Sequence, residues 1–564
     1  MALTLGLAKQ PPPFDADAFL ESLYNPATHS SRDLTMDLLW LAHYGSTLPP
    51  GTRTRLGNQG IRLTPERKRL SRPEADGLDQ FLDTQFFRIH YTLSGTHAVN
   101  TTDNDGNSIP DFVDDIAVVF DSVYTAFTQD MEYTPPPGDS WVTTDNGGNG
   151  NYDIYLRSIY PGYYGYTQSE YFAQGTGDNE HTTDITENNA LTSYLALRND
   201  YSGFPDDPSR NIRVTAAHEF FHAIQFGYDG YEEIWLLEAT AVWMEEVMYD
   251  QINDCYQYMP SWFQSPQTSL DFYGTHMYGS YIFFRYLEEN WNGMSSVRAI
   301  FESSVDYNSQ NGRYDFRAIN DGLAQYNLDF KGIFNGMVIA NRILTSSASA
   351  GRYRYREAEA YPIDGPKIWK TIHQDSALTS HNLRRYGSEY INLEIDHPVQ
   401  VTVSSSTNNR NVIALGIVKS SPNSYAIYSG RDFILPSATY AEWISLALAA
   451  QDTLNDDYGY TLSLQRTEKP PEAVTVLLPR PNPATAETGI FFTIQMNDLR
   501  KVRAYIADVT GRRIAPLYQG TTTAQIELNW KGIMGTQQAA PSGVYFFVVE
   551  TPEKTVMKRF TWLR

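Results

Sequence analysis

The sequence has little cysteine, no long apolar run and few basic residues relative to acidic ones. Its 564 residues contain one cysteine, Cys255, which excludes a disulfide framework. No apolar run approaches the roughly 18–20 residues needed to cross a bilayer, so we expect a soluble protein without a transmembrane segment. Lys and Arg total 43 against 66 Asp and Glu, and the resulting formal charge of −23 repels phosphate backbones. Nucleic acid is therefore a poor partner.

The first residues also lack the features of a secretory leader. The stretch "MALTLGLAKQPPPF" has no basic region and too few apolar residues for the core of a signal peptide. The acidic, Asn- and Tyr-rich composition is nevertheless typical of an extracellular bacterial protein stabilised by metal ions rather than disulfides. We therefore expect a secreted or cell-surface monomer whose leader has been removed or whose start is misplaced.

Composition divides the chain into segments, as expected for a length that exceeds one core. We expect a multidomain α+β protein without solenoid repeats. The predicted segments are an N-terminal helical subdomain or prosegment at 1–80, a catalytic domain at 81–375, a β-sandwich at 385–466, a Pro- and Glu-rich linker at 467–474 and a second β-sandwich at 475–564.

The stretch "AAHEFFHAIQF" at 216–226 places two histidines four residues apart. Residues at this spacing share one face of a helix, so His218 and His222 can put ring nitrogens on one Zn²⁺. Glu219 can then reach past the metal to its bound water. The alternative is a helix that happens to carry two core or surface histidines. Apolar flanks favour a metal, because buried histidines without one need other partners.

A catalytic zinc site needs a third protein ligand and an open position for water. Glu238 follows His222 by 16 residues, within the helical stretch "EEIWLLEATAVWMEEVMYD" at 232–250. A turn of about ten residues between the two helices would return its carboxylate to the histidine pair. Glu245 lies two turns further along the same face, where it either orients a histidine N–H or is a plain solvated acid.

These residues resemble the gluzincin zinc metallopeptidases, in which His-Glu-x-x-His is followed by a glutamate on a later helix. More narrowly, "TAAHEFFHAIQFGYD", "WLLEATAVWMEE" and "HMYGSYIFFRYLEE" resemble a little-characterised family of secreted bacterial metalloproteases, over about residues 85–300. The resemblance implies a zincin-like fold for 81–375 and Glu219 as general base. The zinc ligands that it implies are His218, His222 and Glu238.

The family pattern leaves some positions open in this sequence. Many gluzincins carry a supporting acid four residues after the glutamate ligand, where this chain has Val242. The oxyanion donor is usually a later Tyr or His, and "DFYGTHMYGSYIFF" offers Tyr278 and His276, unless this stretch is simply a helix start. Tyr278 is preferred because its phenol donates while neutral. The strand-like run at 193–204 has the position of the edge strand that binds extended substrate in zincin folds.

The activity implied is that of a secreted, zinc-dependent peptidase acting on proteins or peptides. Zinc lowers the pKa of bound water, and Glu219 takes the proton and passes it to the leaving amine. The alternative is a catalytically inactive surface adhesin or carbohydrate-binding protein built on the same domain. An intact Glu219 argues against that alternative, because an inactive protein has no chemical need for the base.

Two acidic loops are candidates for calcium. The stretch "DNDGNSIPDFVDD" at 103–115 has oxygen-bearing residues at spacings that suit Ca²⁺, although its glycine is misplaced for a standard EF-hand. The expected ligands are Asp103, Asp105, Asn107, the backbone carbonyl of Ile109, Asp111 and Asp114. A solvated turn without an ion is the alternative. A second stretch, "TTDNGGNGNYDIYL", offers Asp145, Asn149 and Asp153, but its glycines could equally mark a hairpin.

The C-terminal segment alternates like a seven-stranded β-sandwich. Its marks are Pro-Asn-Pro at 481–483, Asp-x-x-Gly-Arg at 508–512, Trp530 and Pro-Ser-Gly-Val-Tyr at 541–545. In this order they resemble the sorting domain of cargo for the type IX secretion system. The resemblance covers 475–564 and implies the type IX machinery as a partner, with export followed by cleavage or surface attachment. A generic Ig-like stalk or binding module is the alternative.

Overall fold

The computed structural model is multidomain and α+β, and it divides into two compact units. The first unit comprises Met1–Gln257, Tyr273–Tyr281 and Ile300–Ala318, and the second comprises the remainder. The residues described are 15–25, 34–59, 61, 72, 77–143, 146–204, 207–291, 293–305, 315–405, 411–421, 424–451, 458–468, 474–477, 479–496, 500–522, 526–535, 538–552 and 554–564.

The secondary structure changes from mixed to all-β along the chain. The helices are α1 (Ala16–Ser22), α2 (Thr35–Tyr44), α3 (Pro50–Asn58), α4 (Asp111–Thr125), α5 (Pro208–Tyr228), α6 (Ile234–Tyr249), α7 (Met259–Gln264), α8 (Thr275–Gly279), α9 (Tyr281–Asn290), α10 (Met294–Ser304), α11 (Phe316–Ala324) and α12 (Phe330–Ile343). The strands are β1 (Gln80–Asp83), β2 (Phe87–Tyr91), β3 (Tyr152–Arg157), β4 (Gly165–Phe172), β5 (Leu191–Arg198), β6 (Ile368–Ile372), β7 (Ser376–Ser380), β8 (Ser388–Leu393), β9 (Val399–Ser405), β10 (Val412–Ser421), β11 (Ser424–Gly430), β12 (Asp432–Leu435), β13 (Trp443–Ala450), β14 (Tyr460–Arg466), β15 (Val474–Val476), β16 (Ala484–Thr485), β17 (Ile490–Met496), β18 (Arg500–Ala507), β19 (Arg513–Thr522), β20 (Ile526–Trp530), β21 (Gly543–Glu550) and β22 (Thr555–Leu563). Among the residues described, no helix is both long and apolar enough to cross a membrane.

A five-stranded mixed sheet organises the first unit, in the order β1-β2-β3-β5-β4. Strands β2, β3 and β5 are parallel, whereas β1 and β4 run antiparallel at the two edges. The strand predicted at 193–204 is β5, and it lies inside the sheet rather than at its edge. The edge position belongs to β4, because β5 already pairs with β3 and β4 on its two sides.

The histidine-bearing helix α5 is buried along almost its whole length. Its first turn is fixed by Asp207, whose carboxylate accepts the Ser209 N–H at 2.9 Å, and by Pro208 at the first helical position. One face packs on the sheet, where the rings of Phe220 and Phe87 are 5.2 Å apart. Another face packs on α6. The loop between α5 and α6 is 229–233, shorter than the predicted ten residues.

The N-terminal helices α1 to α3 have a small core of their own. It is completed from the rest of the unit by Tyr163, and its buried members are Phe19, Leu23, Leu34, Leu38, Trp40, Leu41, Leu56, Ile61 and Tyr163. Within the described part of 1–80, residues 16–22, 35–44 and 50–58 are helical.

The second unit carries two β-sandwiches in chain order. The first has sheets β11-β10-β13-β8-β6 and β12-β9-β14-β7, and it begins at Ile368 rather than at the predicted residue 385. Its two earliest strands, β6 and β7, are short and half-exposed, so they lack the apolar alternation that marks a strand. The second has sheets β15-β17-β20 and β16-β22-β21-β18-β19, eight strands in its described residues where seven were predicted.

Candidate metal centre

Two consecutive helices bring the three predicted zinc ligands together. His218 and His222 lie on α5 and Glu238 lies on α6, and all three side chains are buried. Glu238 Oε2 is 3.3 Å from His218 Nε2 and 3.9 Å from His222 Nε2. One ligand atom from each residue lies within 4.8 Å of the others. Two imidazole nitrogens and one carboxylate are therefore close enough to bind a single ion.

The side chain of Gln225 fixes the ring of His222. Gln225 Nε2 donates to the carbonyl of Leu237 at 2.9 Å, which can only accept, so Oε1 must face the ring. Oε1 lies 2.7 Å from His222 Nδ1, and this nitrogen therefore carries the proton. Because a neutral imidazole has one protonated nitrogen, Nε2 presents its lone pair towards Glu238.

Glu245 has the corresponding role at His218. Its Oε1 lies 2.6 Å from His218 Nδ1, and Glu245 is buried. The histidine therefore donates from Nδ1, and its Nε2 is directed to Glu238. This is the first of the two alternatives predicted for Glu245. It gives the candidate ligand His218 an acidic partner, although the position four residues after Glu238 is Val242.

The charges around the cluster favour a cation at its centre. Burial lowers the pKa of His218, but the hydrogen bonds and charges of Glu238 and Glu245 outweigh burial and raise the pKa well above its usual value. Burial, followed by the charge of His218, lowers the pKa of His222 well below its usual value. The two carboxylates thus stabilise one positive charge, while His222 stays neutral, as a metal ligand must.

The atoms of the cluster fit a zinc ion. His222 Nε2 is fully buried and has no hydrogen-bond partner among the residues described, although burying such an acceptor is costly. Two nitrogens and one carboxylate oxygen are a ligand set of catalytic zinc, and tetrahedral bonds of about 2.0–2.2 Å separate ligand atoms by about 3.3–3.6 Å. The separations of 3.3 and 3.9 Å from Glu238 Oε2 are close to that range.

The carboxylate of Glu219 is held by two threonine hydroxyls, one from α2 and one from β4. Thr35 Oγ1 donates to Glu219 Oε2 at 2.9 Å, and Thr167 Oγ1 lies 2.9 Å from the same oxygen and 2.7 Å from the Glu219 carbonyl. Glu219 is 1% exposed. Oε2 of Glu219, the predicted general base, therefore accepts hydrogen bonds from both threonines.

The two candidate oxyanion residues lie on α8, which packs against α6. His276 and Tyr278 are both buried. Burial lowers the pKa of His276 to about 4, so its ring is neutral at pH 7 and could donate one hydrogen bond. The prediction that one of them stabilises the oxyanion remains a prediction.

The loop before α4 brings together some of the predicted calcium ligands. Oxygens of Asp103, Asp105 and Asp111 lie within 4.8 Å of one another. Much of the loop is held internally, since Asp103 accepts the backbone N–H groups of Gly106 and Ser108 at 2.8 and 3.0 Å.

The remaining calcium candidates make other hydrogen bonds. Asn107 Nδ2 donates to Asp114 Oδ2 at 2.9 Å, and Asn107 Oδ1 accepts the Ile109 N–H at 2.6 Å. In the second acidic stretch, Asp145 lies outside the described residues. Asp153 is buried on β3 and pairs with Arg72, at 2.6 Å, and with His90, at 2.7 Å, so it is not available to an ion in that loop.

Three marks of the C-terminal segment have local structural roles. Asp508 Oδ1 accepts the backbone N–H groups of Thr510 and Arg512, both at 3.0 Å, and so shapes the turn between β18 and β19. Trp530 Nε1 donates to the Ile533 carbonyl at 2.7 Å from within the core. Tyr545 Oη donates to the Pro541 carbonyl at 2.7 Å.

Sequence reasoning missed three residues of the candidate site. Gln225 follows His222 by three residues, a spacing that puts both on one helix face and could have indicated the contact. Thr35 and Thr167 carry no such signal, because they lie 184 and 52 residues from Glu219 in sequence.

No family model matches this sequence, and no curated protein matches it. Among solved structures, PorZ, an essential surface component of the type-IX secretion system of Porphyromonas gingivalis, is 21% identical over 26% of this chain and 22% of its own, with a TM-score of 0.13. Dimeric latent PorU from Porphyromonas gingivalis is 13% identical over 36% of this chain and 19% of its own, with a TM-score of 0.19. A β-glucuronidase of Faecalibacterium prausnitzii is 9% identical over 32% and 38% of the two chains, with a TM-score of 0.12. TM-scores this low carry no inference about the function of this chain.

Proposed function

We propose that this protein is a zinc-dependent peptidase that hydrolyses peptide bonds with Glu219 as its general base. The observation that carries the proposal is the buried cluster of His218, His222 and Glu238, in which the His222 Nε2 lone pair faces a carboxylate at 3.9 Å, too far for a hydrogen bond. A histidine pair that merely belonged to the core would have other partners for that nitrogen.

Each residue of the site has a distinct part in the reaction. A zinc ion, when bound, supplies a Lewis acid that polarises the scissile carbonyl and acidifies water. Glu219 would accept a proton from that water and deliver it to the leaving amine. Gln225 and Glu245 hold the two rings so that their Nε2 atoms point to Glu238. His276 or Tyr278 would donate to the oxyanion.

The reaction is tested with the full chain and Glu219→Gln, each incubated with a denatured protein mixture before cleavage sites are mapped by mass spectrometry. We expect cleavage by the unmodified chain that stops with a chelator, and a loss of about a thousandfold in Glu219→Gln, because the amide cannot accept the proton. The exposed Glu487→Gln is the matched control and should cleave normally. Cleavage by Glu219→Gln at the rate of the unmodified chain would contradict the mechanism.

The zinc site is tested independently of activity by elemental analysis. We expect one zinc per chain, lost in His222→Ala together with the stability that the metal supplies. The exposed His381→Ala should keep its zinc. Absence of zinc from the unmodified chain, with unchanged stability in His222→Ala, would instead indicate a helix that carries two histidines without a metal.

The C-terminal sandwich supports a second, separate proposal, that the segment 475–564 directs export through the type IX machinery and so makes the peptidase a secreted or surface protein. Its support is the order of the motifs and the local contacts of Asp508 and Trp530. In a bacterium that has this machinery, the full chain should appear outside the cell and a chain ending at residue 466 should stay inside. Equal export of both would contradict the proposal.

A further inference from the structure

The N-terminal helix α2 makes a direct contact with the proposed general base. Its first residue, Thr35, is 0% exposed, and its hydroxyl donates to Glu219 Oε2 at 2.9 Å. The same hydroxyl oxygen accepts the backbone N–H of Thr167, on the edge strand β4, at 2.9 Å. One side chain from the start of the chain therefore joins the edge strand to the general base.

The contact with Thr167 uses the open side of β4. Thr167 is opposite Leu195 of β5, so the side of β4 that faces away from β5 is the free edge of the sheet. A free edge of this kind pairs with extended peptides through its N–H groups. The Thr35 hydroxyl occupies the position that a backbone carbonyl of such a peptide would take.

Further contacts extend α2 across the site. His43 Nε2 lies 2.8 Å from the carbonyl of Gly230, and its ring stacks on Tyr231 with centroids 3.9 Å apart, in the loop between α5 and α6. Asp37 accepts a hydrogen bond from Tyr273 at 3.2 Å, ahead of α8. The helix thus contacts β4, the α5–α6 loop and the residues leading to His276.

A second anchor lies at Arg72, which is 3% exposed. Its guanidinium pairs with Glu170 of β4 at 2.5 Å, with Asp153 of β3 at 2.6 Å and with Asp139. A buried arginine among three carboxylates is a strong and specific attachment, since breaking it would leave buried charges without a partner. Both anchors, Thr35 and Arg72, therefore engage β4.

We propose that helices α1 to α3 and Arg72 belong to an inhibitory segment that keeps the peptidase latent, with Thr35 engaging Glu219 and α2 occupying the edge of β4. Cutting the chain between Arg72 and β1 allows this inhibitory segment to leave. Glu219 and the edge of β4 are then both accessible to substrate. The proposal rests on the peptidase function stated above. The core of α1 to α3 fits it, because all of its buried members except Tyr163 belong to that segment.

The first experiment inserts the recognition sequence of a specific protease between Gly77 and Leu78, where the chain is exposed and Gly77 has open space around it. Hydrolysis of labelled casein, zinc content and amide exchange at Thr167 are measured before and after the cut. We expect unchanged zinc, faster exchange at Thr167 and a rise in rate of about tenfold or more on cutting. Equal rates before and after release of the segment would overturn the proposal, as would a cut segment that stays bound with Thr167 still protected.

The second experiment changes Thr35 in the uncut chain. Thr35→Val keeps the shape but removes the hydroxyl, so we expect faster exchange at Thr167 and a rate increase of up to about tenfold. Thr35→Ser keeps the hydroxyl and should match the unmodified chain in both measurements. If Thr35→Val behaved like Thr35→Ser, the contact would have no inhibitory role.

A third experiment measures the binding of a small hydroxamate that chelates zinc, before and after the cut. It distinguishes failure of the inhibitory-segment proposal from failure of the peptidase proposal. If cutting speeds hydroxamate binding and Thr167 exchange but no form hydrolyses casein, the segment closes the site and the peptidase proposal is wrong. If the uncut chain binds hydroxamate and hydrolyses casein as fast as the cut chain, the peptidase proposal stands and the inhibitory segment does not.

Discussion

Gln225 is one of the residues whose hydrogen bonds link the two helices of the candidate metal centre. Its amide joins His222 on α5 to the Leu237 carbonyl and to Thr240 Oγ1 on α6, each contact between 2.7 and 2.9 Å. Glu238 lies between these last two residues in sequence. The same amide therefore orients one candidate ligand and holds the backbone that carries another.

Replacing Gln225 should weaken zinc binding more than it weakens the fold. For Gln225→Ala we expect a loss of about 10–100-fold in zinc affinity, measured by competition with a chelator, because His222 would be free to rotate or change tautomer. Gln225→Glu keeps an acceptor for Nδ1–H but loses the donor to the Leu237 carbonyl, so its loss should be smaller than that of Gln225→Ala. Equal zinc affinity in Gln225→Ala and the unmodified chain would show that the amide serves only the packing of α5 on α6.

The titration of His276 gives the stability of the first unit a definite dependence on pH. Its pKa is about 4 in the folded protein because of burial, against 6.5 when unfolded. Between these values the unfolded state binds a proton that the folded state does not, so this contribution to stability falls as the pH falls from 6.5 to 4. Over that window His276→Gln should lose less stability than the unmodified chain, by up to about 3 kcal/mol in denaturant unfolding. Parallel pH profiles would contradict the lowered pKa.

For helices and strands, residue spacing along the chain predicted local structure, but it did not predict which distant elements pair. The face shared by His218 and His222 and the helix that carries Glu238 follow from residue spacing alone. The interior position of β5 does not, because strand order depends on pairings that leave no mark within the strand. Arg72 illustrates the limit, since its carboxylate partners lie 67 to 98 residues away in sequence.

The loop that leads into α4 is the element where a calcium ion is expected to act. Calcium should raise the midpoint of thermal unfolding by about 5 °C when it is in large excess, because an ion that binds only the folded loop stabilises it. Asp105→Ala should abolish the shift, whereas the exposed Asp79→Ala should keep it. Asp103 already accepts two backbone N–H groups without an ion. Absence of the shift in the unmodified chain would favour the solvated turn.

For the whole molecule, net charge sets which substrates approach fastest. A formal charge of −23 attracts cationic peptides and repels anionic ones over the screening length of the solution. Raising the ionic strength from about 0.01 M to about 0.15 M shortens that length from about 30 Å to about 8 Å. We expect kcat/KM for Lys-rich peptides to fall and that for Glu-rich peptides to rise, measured on the cut chain. Identical salt profiles for both peptides would show that the charge does not steer substrate.

The free edge of β4 also affects the tendency of the chain to aggregate while it folds. An uncovered strand edge is a template on which other chains can add strands and aggregate. By binding the Thr167 N–H, Thr35 removes one such contact before any substrate is present. A chain made without its first 72 residues would therefore expose β4 from the outset, and it should precipitate more on refolding than the full chain does. The inhibitory segment then protects solubility as well as latency.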